Sequence, residues 1–237
     1  MAKRLAYSII GRKDKSQVQL IQFHQSYSYE DFIEGFRPTE NGFKLEKGLF
    51  YKICKKAESN PKEKFYLIID EINRGNLSKI FGELLMLIES DKRGDELTLA
   101  YSELPFSVPS NLFIIGLMNT ADRSLALVDY ALRRRFAFYE VEPAFTKPEF
   151  KKYLINKNNI NSDFVEQLCS KFNKVNSNIE EDLNRGFKIG HSYFVDKLKT
   201  DDLNNSYQNI IKYEIIPLLK EYWIDDEEKV KEYSDML

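Results

Sequence analysis

Cysteine and histidine are scarce in this sequence, with two residues of each among 237. Cys54 and Cys169 are far apart and lie in stretches with helical patterning, so we expect two free, buried thiols rather than a disulfide. Structural zinc sites use four cysteine or histidine side chains, so such a site is not expected here. The scarcity therefore argues against small folds that are held together by disulfides or by zinc.

Long apolar runs are also missing. No stretch approaches the roughly 20 apolar residues that a membrane-spanning helix needs, and the first residues lack the apolar core of a signal peptide. The formal net charge of −2 gives no overall attraction to nucleic acid or to an anionic membrane. With 43% hydrophobic and 30% charged residues, the chain has the composition of a globular protein. We expect a cytoplasmic protein without membrane contact.

The most informative stretch is residues 65–76, FYLIIDEINRGN. Its apolar part, residues 65–69, predicts a strand buried on both faces, and Asp70 and Glu71 follow at the carboxyl end, where ligands bind in open α/β sheets. An apolar strand that ends in Asp-Glu is the Walker B pattern, in which the first acid holds Mg²⁺ through water and the second orients the attacking water. A strand whose polar end caps the next helix would give the same pattern.

A second apolar run, residues 112–118, also ends in polar residues, 119–124 (NTADRS). On a neighbouring strand, Asn119 would be placed to position the attacking water and to sense the γ-phosphate, although a turn residue at the start of a loop is the plainer interpretation. The helix predicted next ends in arginines that include Arg134 and Arg135. These two can act as arginine fingers on a neighbouring subunit's nucleotide or can complement the helix dipole.

Hydrophobic periodicity predicts the other elements. Strands of one sheet are predicted at residues 18–23, 65–69, 112–118 and 137–141, and a β-hairpin at residues 96–99 and 106–108. Residues 35–48 are predicted to be a polar loop. Helices are predicted at residues 2–10, 49–59, 76–89, 147–154, 163–175, 207–222 and 227–236. The change in pattern predicts an α/β domain, residues 1–143, followed by a helical domain, residues 144–237.

Several longer strings resemble one known family, the McrB-type AAA+ GTPases. They are DEINRGNLSKIFGELL, GLMNTADRSLALVDYALRRRF and GFKIGHSYF, with QFHQSYSYEDFIEGFRP upstream. The resemblance runs along the whole chain, and MNTADRS is its most specific string. It implies an AAA+ P-loop NTPase core with a parallel α/β sheet, followed by an α-helical lid.

The resemblance also implies catalytic and metal-binding residues. The implied catalytic residues are Glu71, Asn119, Arg134 and Arg135. The two arginines match positions that act on a neighbouring subunit. Asp70 is the residue that holds Mg²⁺ through water. The implied substrate is GTP, with ATP as the other possibility.

Further residues are implied in nucleotide binding. Asn73 lies in the same loop as the Walker B pair, and Thr120 and Asp122 belong with Asn119 to the sensor-1 signature that contributes to guanine-nucleotide use. His191 and Ser192 fall where the lid of the family approaches the nucleotide. These assignments come from the resemblance alone.

One family motif is absent: the Walker A loop, GxxxxGK[ST]. Gly11-Arg12-Lys13 comes nearest but lacks the earlier glycine and the following serine or threonine. Because residues 2–7 resemble the helix that follows this loop, we expect a chain that begins just past it, without the first strand and the phosphate cradle. That loop's lysine and backbone N–H groups supply most phosphate binding. We therefore expect very weak GTP binding and no turnover by these residues alone.

The resemblance implies an assembly as well. It consists of a hexameric ring of copies with an McrC-like nuclease subunit, in which hydrolysis drives DNA translocation and cleavage and DNA is contacted through the complex. Two alternatives stay open. One is an ATP-hydrolysing remodelling protein of the MoxR or dynein-like branch, which GTP–ATP competition would separate. The other is a non-catalytic ring subunit that donates Arg134 to a neighbour, which co-assembly with a complete copy would test.

Overall fold

The computed structural model describes residues 1–119 and 130–237. The chain forms two compact units, residues 1–138 (unit 1) and residues 139–237 (unit 2). Unit 1 combines parallel strands with helices, and unit 2 is helical in its described secondary structure. This confirms the predicted fold class, an α/β core followed by a helical domain.

Unit 1 contains both strands and helices. In chain order they are α1 (Ala2–Ile10), β1 (Val18–Gln22), α2 (Tyr29–Phe32), β2 (Glu34–Thr39), β3 (Gly42–Lys47), α3 (Leu49–Glu58), β4 (Phe65–Asp70), α4 (Leu77–Phe81), β5 (Glu96–Thr98), β6 (Pro105–Ser107), β7 (Leu112–Gly116) and α5 (Tyr130–Arg135). Short 3₁₀ helices occur at Ile72–Arg74, Gly82–Ile88 and Ser90–Lys92. The main sheet has the order β1-β4-β7, and both neighbouring pairs are parallel.

The central strand β4 is buried on both faces, as its apolar run predicts. Phe65, Leu67 and Ile69 point into the larger hydrophobic cluster of unit 1. Tyr66 and Ile68 point to the other face, where they pack with the small residues of α1. Alternate residues of a strand point to opposite faces, so a run without polar interruption is what a strand covered on both faces requires.

The predicted polar loop at residues 35–48 is wrong, because the chain forms an antiparallel hairpin there from β2 and β3. Its two-residue turn is Glu40-Asn41, and Gly42 follows as the first residue of β3; asparagine and glycine are typical turn residues. The hairpin is tied to the second hairpin, β5–β6, through the buried Glu34. This carboxylate forms an ion pair with Lys47 and accepts hydrogen bonds from the N–H groups of Tyr101 at 3.2 Å and Ser102 at 2.8 Å.

The strand predicted at residues 137–141 is also wrong, since these residues form no strand. In the described part of the chain, β7 is an edge of the sheet and residues 137–141 do not pair with it. Without a neighbouring strand their backbone groups have no ladder to join, and Tyr139 is 90% exposed. An apolar stretch has a propensity to form a strand, but it forms one only where a neighbouring strand is available for pairing.

The helix predicted at residues 76–89 is interrupted at Gly82. The α-helical part ends at Phe81, and Gly82–Ile88 continues as a 3₁₀ helix. Gly82 has φ of 54° and ψ of −133°, a conformation open mainly to glycine. A Cβ atom there would lie 3.0 Å from the Tyr29 ring, so the helix breaks where α2 packs against it.

Unit 2 is built from helices α6 (Pro148–Asn158), α7 (Ser162–Asp182), α8 (Leu203–Ile210), α9 (Ile216–Tyr222) and α10 (Glu227–Asp235). Short 3₁₀ helices occur at Ala144–Thr146, Arg185–Phe187, His191–Phe194 and Thr200–Asp202. A π-helical turn, Ile211–Ile215, separates α8 from α9, which the sequence predicts as one helix. Pro217 follows this turn, and it has no N–H to donate to the carbonyl four residues earlier.

Two further expectations concern cysteine and the membrane. Cys54 and Cys169 are free and buried, which confirms the prediction, and burial raises the pKa of both thiols. None of the helices in residues 1–119 and 130–237 combines the length and apolar character needed to cross a bilayer.

Candidate functional site

The carboxyl ends of β4 and β7 lie side by side at one edge of the sheet. Ile69 is paired with Gly116, and the Leu117 N–H donates to the Ile69 carbonyl at 2.8 Å. One step further, the Ile72 N–H donates to the Leu117 carbonyl at 3.0 Å. These bonds extend the pairing into the loops, so Asp70 and the residues that follow β7 leave the sheet at the same edge.

Ile72 anchors the loop that follows β4. Its side chain is 4% exposed and packs against Gly116, where a Cβ atom would lie 2.8 Å from Ile72 Cδ1. Glycine is therefore needed at the end of β7 for this close approach. Glu71 and Asn73 flank the anchor, and Asn119 is exposed three residues after β7 ends.

Glu71 has an unusual backbone conformation. Its φ of 51° and ψ of 45° are left-handed, which costs a residue with a side chain about 1–2 kcal/mol. Glu71 Oε2 lies 3.2 Å from Arg74 Nε, an ion-pair distance, and the Glu71 side chain is 21% exposed. The same oxygen is buried and has no hydrogen bond to the residues that the structure describes. Backbone strain of this kind clusters at functional sites, and positive φ also occurs at Glu103, Asn159 and Asp196.

Asn73 carries a second unsatisfied acceptor two residues later. Its Oδ1 is buried without a hydrogen bond from the described residues, whereas Asn76 Oδ1 accepts from the Lys79 N–H at 2.9 Å and caps α4. Buried polar atoms without partners are rare in folded proteins, and each one needs an explanation. Here the unsatisfied atoms are side-chain oxygens of Glu71 and Asn73, which follow the half-buried Asp70 in the same loop, and Mg²⁺ prefers oxygen ligands and bound water. The residues present therefore fit a hydrated magnesium ion.

Helix α5 places its two last arginines in different surroundings. Arg135 Nε donates to the Leu85 carbonyl at 2.9 Å, and its guanidinium lies 2.8 Å from Glu89 Oε1. The Arg135 side chain is 17% exposed. Arg134 is exposed. Arg135 is thus bound within its own chain, while Arg134 extends into solvent.

His191 and Ser192 lie in unit 2, at the start of the 3₁₀ helix His191–Phe194. His191 Nδ1 accepts a hydrogen bond from the Ala144 N–H at 3.1 Å, and its ring meets Phe150 edge-on at a centroid distance of 5.2 Å. Burial lowers the pKa of His191, so the ring is neutral at neutral pH. Ser192 is exposed.

Two residues of the predicted nucleotide-binding set, Thr120 and Asp122, lie outside the described residues. The sequence interpretation also missed two residues that support the set: Glu89, which pairs with Arg135, and the buried Asn176 of α7. Asn176 has a sequence signal, because it is a polar residue at the helical spacing of the apolar face. Glu89 has none, since its partner is distant in the sequence.

Comparison with known families assigns each unit separately. A family model described as the AAA domain of the dynein-related subfamily matches residues 1–136. A second model, described as the McrB alpha-helical lid domain, matches residues 167–231. The first match falls within unit 1 and the second within unit 2.

Two bacterial proteins are similar to this chain. One, from Escherichia coli K12, is described as the type IV methyl-directed restriction enzyme EcoKMcrB subunit; it is 50% identical over 247 residues, covering 100% of this chain and 54% of that protein. The other, from Bacillus subtilis 168, is described as the type II restriction enzyme BsuMI component YdiS. It is 30% identical over 131 residues, covering 49% of this chain and 38% of that protein. The chain therefore spans about half the length of the first relative.

Proposed function

Because the chain belongs to the dynein-related subfamily of AAA domains and carries an McrB-type lid, we propose that it is a GTP-hydrolysing motor module. One observation carries the proposal: the loop after β4, in which Asp70, the strained Glu71 and Asn73 stand beside the end of β7. Buried acceptor oxygens that receive no hydrogen bond from the described residues suit a site that receives a cation and water. They do not suit a loop with a purely structural role.

Triphosphate hydrolysis needs a positioned water and compensation of the charge on the phosphoryl group. We assign Asp70 to the metal ion, Glu71 to orientation of the attacking water, and Asn119 to the water and the γ-phosphate. Glu71 Oε2 is 3.2 Å from Arg74 Nε but makes no hydrogen bond within the described residues, so we assign it the hydrogen bond from that water. When bound, Mg²⁺ supplies neutralising charge at the phosphate oxygens.

The remaining assignments rest on the sequence resemblance. Nucleotide contacts are proposed for Asn73, Thr120, Asp122, His191 and Ser192, and stabilisation of charge in a neighbouring subunit for Arg134 and Arg135. The exposed Arg134 is the better placed of the two arginines for action outside its own chain. We propose residues 1–143 as the catalytic core and residues 144–237 as the lid.

We further propose that the module works in a DNA restriction complex. Both relatives are described as parts of restriction enzymes, and AAA motors place a site near an arginine of the next subunit. The proposed assembly is a hexameric ring of copies with an McrC-like nuclease subunit. In it, GTP hydrolysis drives DNA translocation and cleavage, and DNA is engaged through the complex.

Nucleotide titration tests the proposal. Fluorescent GTP and ATP analogues are titrated with Mg²⁺ into the 237-residue chain and into the same chain preceded by a strand and a GxxxxGK[ST] loop. Since the 237 residues contain no such loop, we expect no saturable binding by them alone. We expect saturable, GTP-preferring binding by the loop-bearing chain. Asp70→Asn should abolish that binding, whereas Asp95→Asn, at an exposed turn residue of the same unit, should not.

Other outcomes separate the alternatives. Absence of binding by the loop-bearing chain would contradict the proposed function, and an ATP preference would favour a remodelling ATPase. Glu71→Gln in the loop-bearing chain should bind GTP but hydrolyse it about 100-fold more slowly or worse, the range for loss of a general base. An unchanged rate would show that Glu71 does not act on the water.

A further inference from the structure

Asn176 is a buried polar residue on an apolar helix face. Of the buried side chains that the structure describes on α7, Asn176 is the polar one, and it is 5% exposed. Its Nδ2 donates to the Ile189 carbonyl at 3.0 Å, and its Oδ1 accepts from the Ile189 N–H at 2.7 Å. One amide side chain therefore bonds both backbone groups of one residue, much as a neighbouring strand would.

Ile189 needs such a partner. It is fully buried and lies between the 3₁₀ helices Arg185–Phe187 and His191–Phe194, outside the hydrogen bonding of either helix. A buried backbone N–H and C=O must be satisfied within the protein. Asn176 satisfies both groups and so fixes the backbone two residues before His191.

The orientation of the His191 ring decides which hydrogen bond it can offer. Because Nδ1 accepts from the Ala144 N–H, the neutral ring carries its proton on Nε2. None of the residues that the structure describes accepts a hydrogen bond from Nε2. His191 thus presents a neutral N–H donor.

We propose that Asn176 is a positioning residue: it fixes the Ile189 backbone so that His191 keeps Nδ1 on the Ala144 N–H and presents Nε2–H to an acceptor oxygen of the nucleotide. The inference rests on the proposed assignment of His191 to the nucleotide. The ligand atom must be an acceptor, such as a phosphate or carbonyl oxygen, because a donor would meet a donor. Neither the sequence motif nor the resemblance singles out Asn176.

Nitrogen NMR of the 237-residue chain tests this proposal. With two histidines in the chain, the ring signals are simple to assign, and His24 of unit 1 is an internal reference. Two quantities are measured without nucleotide: the tautomer of His191, and the coupling across the hydrogen bond between Ala144 N and His191 Nδ1. They are compared in the unaltered chain, in Asn176→Leu, and in Asn173→Leu as the matched control on the same helix.

We expect the Nε2–H tautomer and a measurable coupling in the unaltered chain and in Asn173→Leu. In Asn176→Leu the coupling should be lost and the His191 nitrogen signals should move toward an average of both tautomers, with His24 unchanged. An Nδ1–H tautomer in the unaltered chain, or an unchanged coupling in a folded Asn176→Leu, would overturn the proposal. If Asn176→Leu does not fold, Asn176→Ser, too short to bond both backbone groups, gives the same two outcomes. Because no nucleotide is present, these results are independent of the titration.

Discussion

The two loops that carry proposed site residues are built in opposite ways. The loop after β4, residues 70–76, leaves two acceptor oxygens buried without hydrogen bonds from the described residues and holds Glu71 in a left-handed conformation. In the loop at residues 185–194, Asn176 satisfies the buried Ile189 backbone and the Ala144 N–H satisfies His191 Nδ1.

This difference indicates different roles for the two loops. A buried acceptor that receives no hydrogen bond costs free energy in the isolated chain, so its retention is best explained by a ligand that donates or coordinates there. A fully bonded loop is already in its working geometry and can present one donor with little reorganisation. We therefore expect substitutions in the loop at residues 70–76 to affect ligand binding more than stability. Substitutions of residues whose hydrogen bonds or ion pairs hold a site residue in place should affect stability more than ligand binding.

The same contrast occurs between the neighbours Arg134 and Arg135, and it gives the largest effect on stability. Arg135→Ala removes a hydrogen bond to the Leu85 carbonyl and a partly buried ion pair with Glu89. We expect it to lower the free energy of unfolding by about 1.5–3 kcal/mol, the range for hydrogen bonds to charged groups. Arg134→Ala should change it by less than about 0.5 kcal/mol, as at other exposed positions.

Hydrogen exchange of residues 82–89, with chemical unfolding followed by circular dichroism, measures the difference. Arg135→Lys is an informative intermediate, because lysine can pair with Glu89 but does not reproduce the planar guanidinium fork. Equal, small effects of Arg134→Ala and Arg135→Ala would remove the distinction between them. Arg135 would then be as available to a neighbouring subunit as Arg134.

A second, smaller effect is expected at Glu71. Glu71→Gly relieves the left-handed strain of about 1–2 kcal/mol but adds unfolded-state entropy of about 0.5–1 kcal/mol. The net expectation is a gain in stability of about 0.5–1 kcal/mol, accompanied by loss of hydrolysis in the loop-bearing chain. Glu71→Ala removes the same carboxylate but keeps the strain, so it is the matched control. If Glu71→Ala proves at least as stable as Glu71→Gly, the conformation of Glu71 is not strained.

The sequence predicted the sheet well where burial shaped the pattern. β4 is apolar because other elements cover both of its faces, and the adjacency of the polar ends of β4 and β7 follows from their parallel pairing. The β2–β3 hairpin was missed because it is largely exposed and mixes charged with apolar residues, which leaves Asn41 in the turn and Gly42 after it as the remaining signal. The strand at residues 137–141 was wrongly predicted because periodicity does not report whether a partner strand exists.

Some features of the candidate site could likewise be predicted from the sequence, and others could not. The order Asp70-Glu71 at a strand end is readable from the sequence, and so is a polar Asn176 on an apolar helix face. The left-handed backbone of Glu71 is not readable, because glutamate has no preference for it. The different surroundings of Arg134 and Arg135 depend on Leu85 and Glu89, which are distant in sequence and carry no motif.

The smallest effect is the pH dependence of unit 2, and it tests whether the second loop is satisfied only while His191 is neutral. Burial lowers the pKa of His191 in the folded state, while the unfolded value is about 6.5. As pH falls below about 6.5, His191 takes up a proton in the unfolded state but not in the folded state. The free energy of unfolding is therefore highest above this pH and decreases below it. Urea unfolding followed by the single tryptophan, Trp223 of unit 2, measures the decline. His191→Gln should weaken it and His24→Gln should not; an identical pH dependence in His191→Gln would mean that protonation of His191 is not coupled to folding.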